Sequence, residues 1–243
     1  MENSRINILG VEFDSITLGE AVSRGMDIAA KRESRYVVTP NPEIVLAAIK
    51  DESFKAALSG ASLTLPDGIG VIYSSRILGT PIKCRVAGID FASGMLEGLA
   101  KKGGSVFLFG AKPGVADMAA QKLSEKYAGL KIAGCENGYF TDDAPIIEHI
   151  NAASPDFLLV CLGAEKQEKW MAENCGRLNA GLMAGLGGAL DVFAGTVKRA
   201  PDIWIKLNLE WLYRLVTDPR RIKRMIKLPV ILFKSVGCRL RRK

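Results

Sequence analysis

Four short segments carry the residue types from which group transfer can be built, and each follows an apolar run. Thr39-Pro40-Asn41-Pro42-Glu43 sets a hydroxyl and an amide among prolines that stiffen the backbone. The same string also suits a turn that opens a helix with Pro42 in its first turn. In Leu65-Pro66-Asp67-Gly68-Ile69-Gly70, Asp67 either caps a helix beginning near Gly68 or stands as a base facing a cleft. Phe109-Gly110-Ala111-Lys112-Pro113-Gly114 would let backbone amides approach an anion at a helix start, although it matches neither a Walker A loop nor G-x-G-x-x-G. Leu162-Gly163-Ala164-Glu165-Lys166-Gln167-Glu168 pairs with Gly185-Leu186-Gly187-Gly188-Ala189-Leu190-Asp191. Together they offer Gly163, Lys166, Gln167 and Asp191 as two sides of a nucleotide grip, or else plain close packing of helix on strand. Arg85, within Lys83-Cys84-Arg85-Val86-Ala87-Gly88, is a candidate for phosphate, whereas His149 beside Glu148 reads as ordinary helix surface.

Loops of this kind need a scaffold that brings strand ends together. Short β-rich runs are expected at 5–13, 36–39, 62–65, 106–109, 131–135, 157–162 and 181–184, with amphipathic helices over 18–31, 42–58, 115–127 and 144–151. From position 106 onward the strand candidates are continuously apolar rather than alternating, as in strands buried on both faces. The order predicts an α/β fold: a doubly wound, mostly parallel, Rossmann-like sheet that binds ligands beyond the carboxyl ends of its strands. Past Ala194 the character changes. Over 203–216, Trp204, Leu207, Trp211, Leu212 and Leu215 recur at helical spacing; Asp218-Pro219 interrupts them, and a second basic helix is expected from Arg220 to the approach of Pro229. The chain therefore divides into an α/β core, 1–194, and a basic helical appendage, 195–243, whose removal should leave a folded core.

The charge follows that division. The 243 residues are 48% apolar and 24% charged with a net charge of +7, which excludes a disordered or collagen-like chain. From Lys198 to Lys243 there are 14 Lys or Arg against three acids, a balance of +11, while the remainder carries −4. An acidic globule with a basic tail asks for an anionic partner. Five cysteines without a C-x-x-C pair fit reduced thiols in the cytoplasm, and a single histidine argues against a His-rich metal centre. The start shows no secretory pattern, and the best apolar run, 228–233, is only six residues between Lys227 and Lys234.

Taken together, Thr39-Pro40-Asn41-Pro42-Glu43, Pro66-Asp67-Gly68, Arg85-Val86-Ala87-Gly88, Phe109-Gly110, Gly138-Tyr139-Phe140 and Lys166-Gln167-Glu168 resemble, in order and spacing, the WecG/TagA/CpsF glycosyltransferase family. Gly187-Gly188, Asp191, Ala194-Gly195, Arg199-Ala200-Pro201 and Leu209-Glu210-Trp211-Leu212-Tyr213-Arg214 resemble its C-terminal signature. The resemblance implies inverting transfer of N-acetylmannosamine from a UDP-sugar to N-acetylglucosamine on a polyprenyl diphosphate, as in the wall teichoic acid linkage unit. The uronic acid of the same sugar is the alternative donor. It further implies Asp67 as general base, Thr39 and Gln167 around the sugar, and Arg85 on phosphate, with Arg214, Arg221 and Arg224 closing over a diphosphate. Glu165 departs from the proline that often precedes Lys-Gln in the family.

Physical chemistry agrees with that assignment. A hydroxyl is a weak nucleophile, and a positioned carboxylate contributes about 10²–10⁴-fold by accepting its proton. Departing UDP needs its charge met. Without a D-x-D pair the cationic side chains are the expected means, so transfer is expected to need no metal or other cofactor. A sugar nucleotide across the strand ends sets uracil near Tyr139 and Asp191 and phosphates near Gly110, with Asn41, Gly163 and Lys166 as further contacts. A lipid-linked acceptor calls for peripheral attachment to an anionic membrane, here the inner face of the cell membrane. Trp204, Trp211, Ile226, Leu228, Ile231, Leu232 and Phe233 supply apolar residues for that contact. A homo-oligomer is compatible with this reading. A nucleic-acid-binding protein is the competing class, but the tail holds no recognised reading module. A nicotinamide-dependent oxidoreductase would need a glycine fingerprint that is missing.

Overall fold

Two of the central apolar runs become strands with hardly any exposed side chain. The computed structural model describes residues 5–241, with the side chains of residues 221 and 223 outside that description. The strands are β1 (Arg5–Ile8), β2 (Val11–Asp14), β3 (Arg35–Val38), β4 (Leu63–Thr64), β5 (Ser105–Gly110), β6 (Lys131–Glu136), β7 (Phe157–Cys161) and β8 (Leu182–Gly185). Strands β3 to β8 form one all-parallel sheet in the order β4-β3-β8-β7-β5-β6. Alternate residues feed two cores. Phe107, Phe109, Leu158 and Val160 pack on one face; Val106, Leu108, Phe157 and Leu159 pack on the other. The doubly wound Rossmann-like architecture is therefore present.

The helices are α1 (Leu18–Lys31), α2 (Pro42–Ala48), α3 (Glu52–Ser59), α4 (Ile69–Leu78), α5 (Gly88–Lys101), α6 (Val115–Lys126), α7 (Ala144–Ala153), α8 (Lys166–Asn174), α9 (Ala189–Phe193), α10 (Asp202–Lys206), α11 (Glu210–Thr217), α12 (Ile222–Met225) and α13 (Lys227–Arg241). A 3₁₀ turn, Pro219–Arg221, precedes α12.

Several boundaries differ from the sequence expectation, each for a local reason. The expected strand over 5–13 is an antiparallel hairpin, β1–β2, because Leu9 and Gly10 take positive φ and Asn7 Oδ1 accepts from the Gly10 amide at 3.0 Å. The expected helix over 42–58 is two, since Asp51 stops the first and caps α3 by accepting from the Phe54 amide at 3.0 Å. Helix α4 begins where the sequence offered a helix start near Gly68, whereas α5 and α8 carry no clear helical pattern. In α5 the glycines that weaken the helical signal are contact points: a Cβ on Gly94 would lie 2.6 Å from Val22 Cγ2, and one on Gly98 would lie 3.1 Å from Met26 Sδ. The stripe over 203–216 breaks between α10 and α11, where Asn208 has φ +58°.

Helix α13 changes the meaning of the basic tail. Pro229 falls in its first turn and is tolerated there. Ile231 and Ser235 are fully buried, and Ile231 belongs to one of the two cores. A Cβ on Gly70 would approach both Leu228 Cδ1 and Pro42 Cγ to 2.6 Å, so glycine lets α13 close onto α4 and α2. Arg239 Nη1 donates to the Leu78 carbonyl at 2.9 Å, satisfying the carboxyl end of α4. Leu228 and Ile231 thus face inward rather than outward as the sequence reading had them. On the opposite side Phe233 is 77% exposed, in line with Ile226, Val230 and Leu240. Among the described residues no helix is long and apolar enough to cross a membrane.

Candidate active site

The carboxyl ends of the parallel strands open onto a cleft of about 970 Å³, walled on its far side by residues of α11 and α12. Thr39 follows β3 directly, and its hydroxyl donates to the Gly185 carbonyl at 3.1 Å, tying the β3 loop to the β8 loop. Asn41 lines the cleft and also caps α2, its Oδ1 accepting from the Glu43 and Ile44 amides at 2.9 and 3.1 Å. The helix-opening reading of this segment therefore holds, with Pro42 in the first turn of α2 and Thr39 and Asn41 beside the cleft.

Asp67 follows β4, and the alternative of a cap is settled against. Helix α4 begins after Gly68, at φ +85°, with no side-chain cap. The Asp67 amide donates to the Pro40 carbonyl at 3.2 Å, which fastens the two loops together and turns the carboxyl into the cleft, 29% exposed. Arg85 Nε lies 3.4 Å from Asp67 Oδ1, and the Gly88 amide also favours the charged carboxylate. Burial pushes the Asp67 pKa above the usual carboxylate value; Arg85 and Arg214 oppose that rise and the charge of Glu210 adds to it.

Glu210 is the residue that the sequence reading passed over. Its Oε2 accepts from Arg85 Nη2 at 2.6 Å, and its Oε1 pairs with Arg214 Nη2. Burial alone would raise its pKa, yet Arg214 and Arg85 hold it below the ordinary value. Asp67, Arg85, Glu210 and Arg214 thus form one chain of alternating charge along the cleft. Only the helical spacing of Glu210 and Arg214 was visible in the sequence; Arg85 lies 125 positions away.

The remaining candidates divide. Tyr139, Gly163, Gln167, Asp191 and Arg224 also line the cleft. Gln167 is buried, its Oε1 accepting from the Gly187 amide at 2.9 Å and its Nε2 donating to Glu168 at 2.8 Å. Buried Glu168, a second carboxylate without an expected role, also accepts from the Glu165 amide at 2.7 Å. These bonds hold the two glycine-bearing loops together. Tyr139 is 68% exposed on a loop pinned by Lys166, whose Nζ donates to the Gly138 carbonyl at 3.2 Å and sits 4.1 Å from the Phe140 ring centre. Lys166 itself is not among the lining residues. Nor is Gly110, although Ala111 and Lys112 are. A Cβ on Gly110, at φ +128°, would lie 2.3 Å from the Cys161 carbonyl oxygen, so close approach of β5 to β7 requires glycine there. Arg224 Nε reaches across to Glu43 Oε2 at 3.6 Å. The Arg221 side chain lies outside the described residues.

Among the described residues no three His, Cys, Asp or Glu side chains are grouped to hold a metal ion. Cys161 lines the cleft, but burial pushes its thiol up to about 12, which leaves it unionised at neutral pH and unsuited to nucleophilic attack.

A cleft at the carboxyl ends of a parallel sheet, with a carboxylate after β4 and guanidinium groups from the loop before α5 and from α11, stands where α/β enzymes of this architecture bind their ligands. Comparison sharpens the class: the Glycosyl transferase WecG/TagA/CpsF family matches residues 6–243, and the chain belongs to that family of glycosyltransferases. It is 42% identical over 193 residues to the N-acetylglucosaminyldiphosphoundecaprenol N-acetyl-beta-D-mannosaminyltransferase of Bacillus subtilis strain 168, covering 79% of this chain and 75% of the relative. The protein of the same name in Bacillus spizizenii is 37% identical over 199 residues, 82% of this chain and 77% of its own. That of Staphylococcus aureus strain NCTC 8325 is 34% identical over 234 residues, 95% of this chain and 92% of its own.

Proposed function

We propose that the chain transfers N-acetylmannosamine from its UDP ester to N-acetylglucosaminyl-diphospho-undecaprenol, in one inverting displacement. Asp67 accepts the proton of the acceptor hydroxyl, the freed oxygen bonds to the anomeric carbon, and the bond from that carbon to the UDP phosphate oxygen breaks. Arg85 and Arg214, with Arg224 and Arg221, receive the charge of the leaving diphosphate, so that no metal is required. Tyr139 and Asp191 meet the uracil, while Thr39 and Gln167 bound the sugar. Within the basic appendage, α11 and α12 close this cleft while α13 packs on the core.

The carrying observation is the Asp67 carboxyl, open to the cleft, raised in pKa and set beside an arginine instead of capping α4. The names of the relatives support the substrate pair. Their acceptor is lipid-borne, which favours attachment to the inner membrane face through basic residues and the outer side of α13. The test is Asp67→Asn, read by single-turnover transfer and by UDP calorimetry. Turnover falls by about 10²–10⁴-fold while UDP still binds; a retained rate rejects the base. A panel of UDP-sugars with a short-chain lipid diphosphate, scored by product mass, separates N-acetylmannosamine from its uronic acid, and excess chelator leaves the rate unchanged.

A further inference from the structure

Helix α11 is attached to the rest of the protein in an unusual way. Its one buried residue is Glu210, with a side chain 7% exposed, and α10 before it buries none. A carboxylate is costly to bury unless it is paired and hydrogen-bonded. Here two guanidinium groups from different parts of the fold occupy its two oxygens, and Arg199 adds further positive potential.

We propose that Glu210 is a positioning residue that draws Arg85 away from Asp67. The inference rests on the reading of Asp67 as the base. A charge-assisted N–H to carboxylate bond is about 2.7–2.9 Å long, and Arg85 makes one of that strength with Glu210, at 2.6 Å. Toward Asp67 it offers only Nε, at 3.4 Å. Arg85 is 17% exposed and largely desolvated, so it must satisfy its charge on protein. If Glu210 were neutral, the remaining carboxylate facing Arg85 would be Asp67, and a two-pronged pair would form there. Such a pair stabilises the charged base and weakens its pull on the acceptor proton. The charged groups that bear on Asp67 are Arg85, Glu210 and Arg214, and the Gly88 amide completes its surroundings.

The experiment is the pH dependence of kcat and kcat/KM for Glu210→Gln, Glu210→Asp and Asp67→Asn, alone and combined. Glu210→Gln is expected to lose about 10- to 100-fold in kcat, the scale of a misplaced catalytic group. Its acidic limb moves to lower pH, a shift that mere loss of folded enzyme does not produce. Glu210→Asp keeps the charge but withdraws it by one methylene, so it gives a smaller shift in the same direction and serves if the amide variant does not fold. In the Asp67→Asn background, Glu210→Gln causes little further loss, because both changes act on one step. An unmoved acidic limb in both Glu210 variants, with Asp67→Asn inactive, overturns this inference alone. Wild-type turnover in Asp67→Asn overturns the base and the inference together.

Discussion

Helices α11 and α13 come from the same basic tail and show the same mixture of aliphatic, aromatic and cationic residues, yet they are joined to the protein by opposite means. Helix α13 buries Ile231 and Ser235 against α4 and α2, which makes it part of the core. Helix α11 buries only a carboxylate, held between Arg85 and Arg214. Apolar contact carries no group that titrates or that an anion can compete for. An ion cluster responds to both, and under the proposed function a diphosphate in the cleft would compete for the same guanidinium groups. The tail is thus two things: an anchor packed into the core, and a wall of the cleft held by an ion cluster.

The largest effect expected from breaking this contrast is on stability. Ile231→Ala should lower the free energy of urea unfolding by about 2–5 kcal/mol, the range for emptying a fully buried aliphatic site. Loss of less than about 1 kcal/mol would mean that α13 is not core. By the same logic, deleting 195–243 strips Ile231 and Leu228 from α4 and is expected to destabilise the remaining core, which urea unfolding of the truncated chain measures. Acidification gives the next effect. The Glu210 pKa lies below its ordinary 4.5, so its contribution to docking is complete above that value and is lost as pH falls through the lower folded value. Hydrogen exchange should then show α11 amides losing protection on acidification while those of α13 keep theirs; simultaneous loss would erase the distinction. The smallest change in stability is expected from Phe233→Ser, under about 0.5 kcal/mol at an exposed site. Co-sedimentation with anionic vesicles should nonetheless fall, and unchanged pelleting would remove the outer face of α13 from any membrane role.

Much of the site was legible because strand ends announce themselves locally. Thr39, Asp67, Gly163 and Asp191 each follow an apolar run closed by proline or glycine, and a parallel sheet delivers such loops to one edge. Lys166 and Gly110 sit in the same kind of segment but serve the scaffold, one pinning the Tyr139 loop and the other permitting β5 to approach β7. Residue type and spacing do not separate a group facing the cleft from one facing its neighbour. The glycines of α5 misled in the same manner, since a small residue lowers helix propensity and also permits the close approach of α1 that repays it.

By itself, then, the order of residues determined the parallel sheet, the edge where chemistry gathers and the segregation of positive charge, because apolar runs, turn formers and charge are properties of neighbouring residues. Only the tertiary structure decided that Asp67 leaves α4 uncapped, that Glu210 stands between Arg85 and Arg214, and that α13 turns Ile231 inward and Phe233 outward. Each of these depends on surfaces that meet across long stretches of chain, where desolvation and shape, rather than local preference, choose the partner.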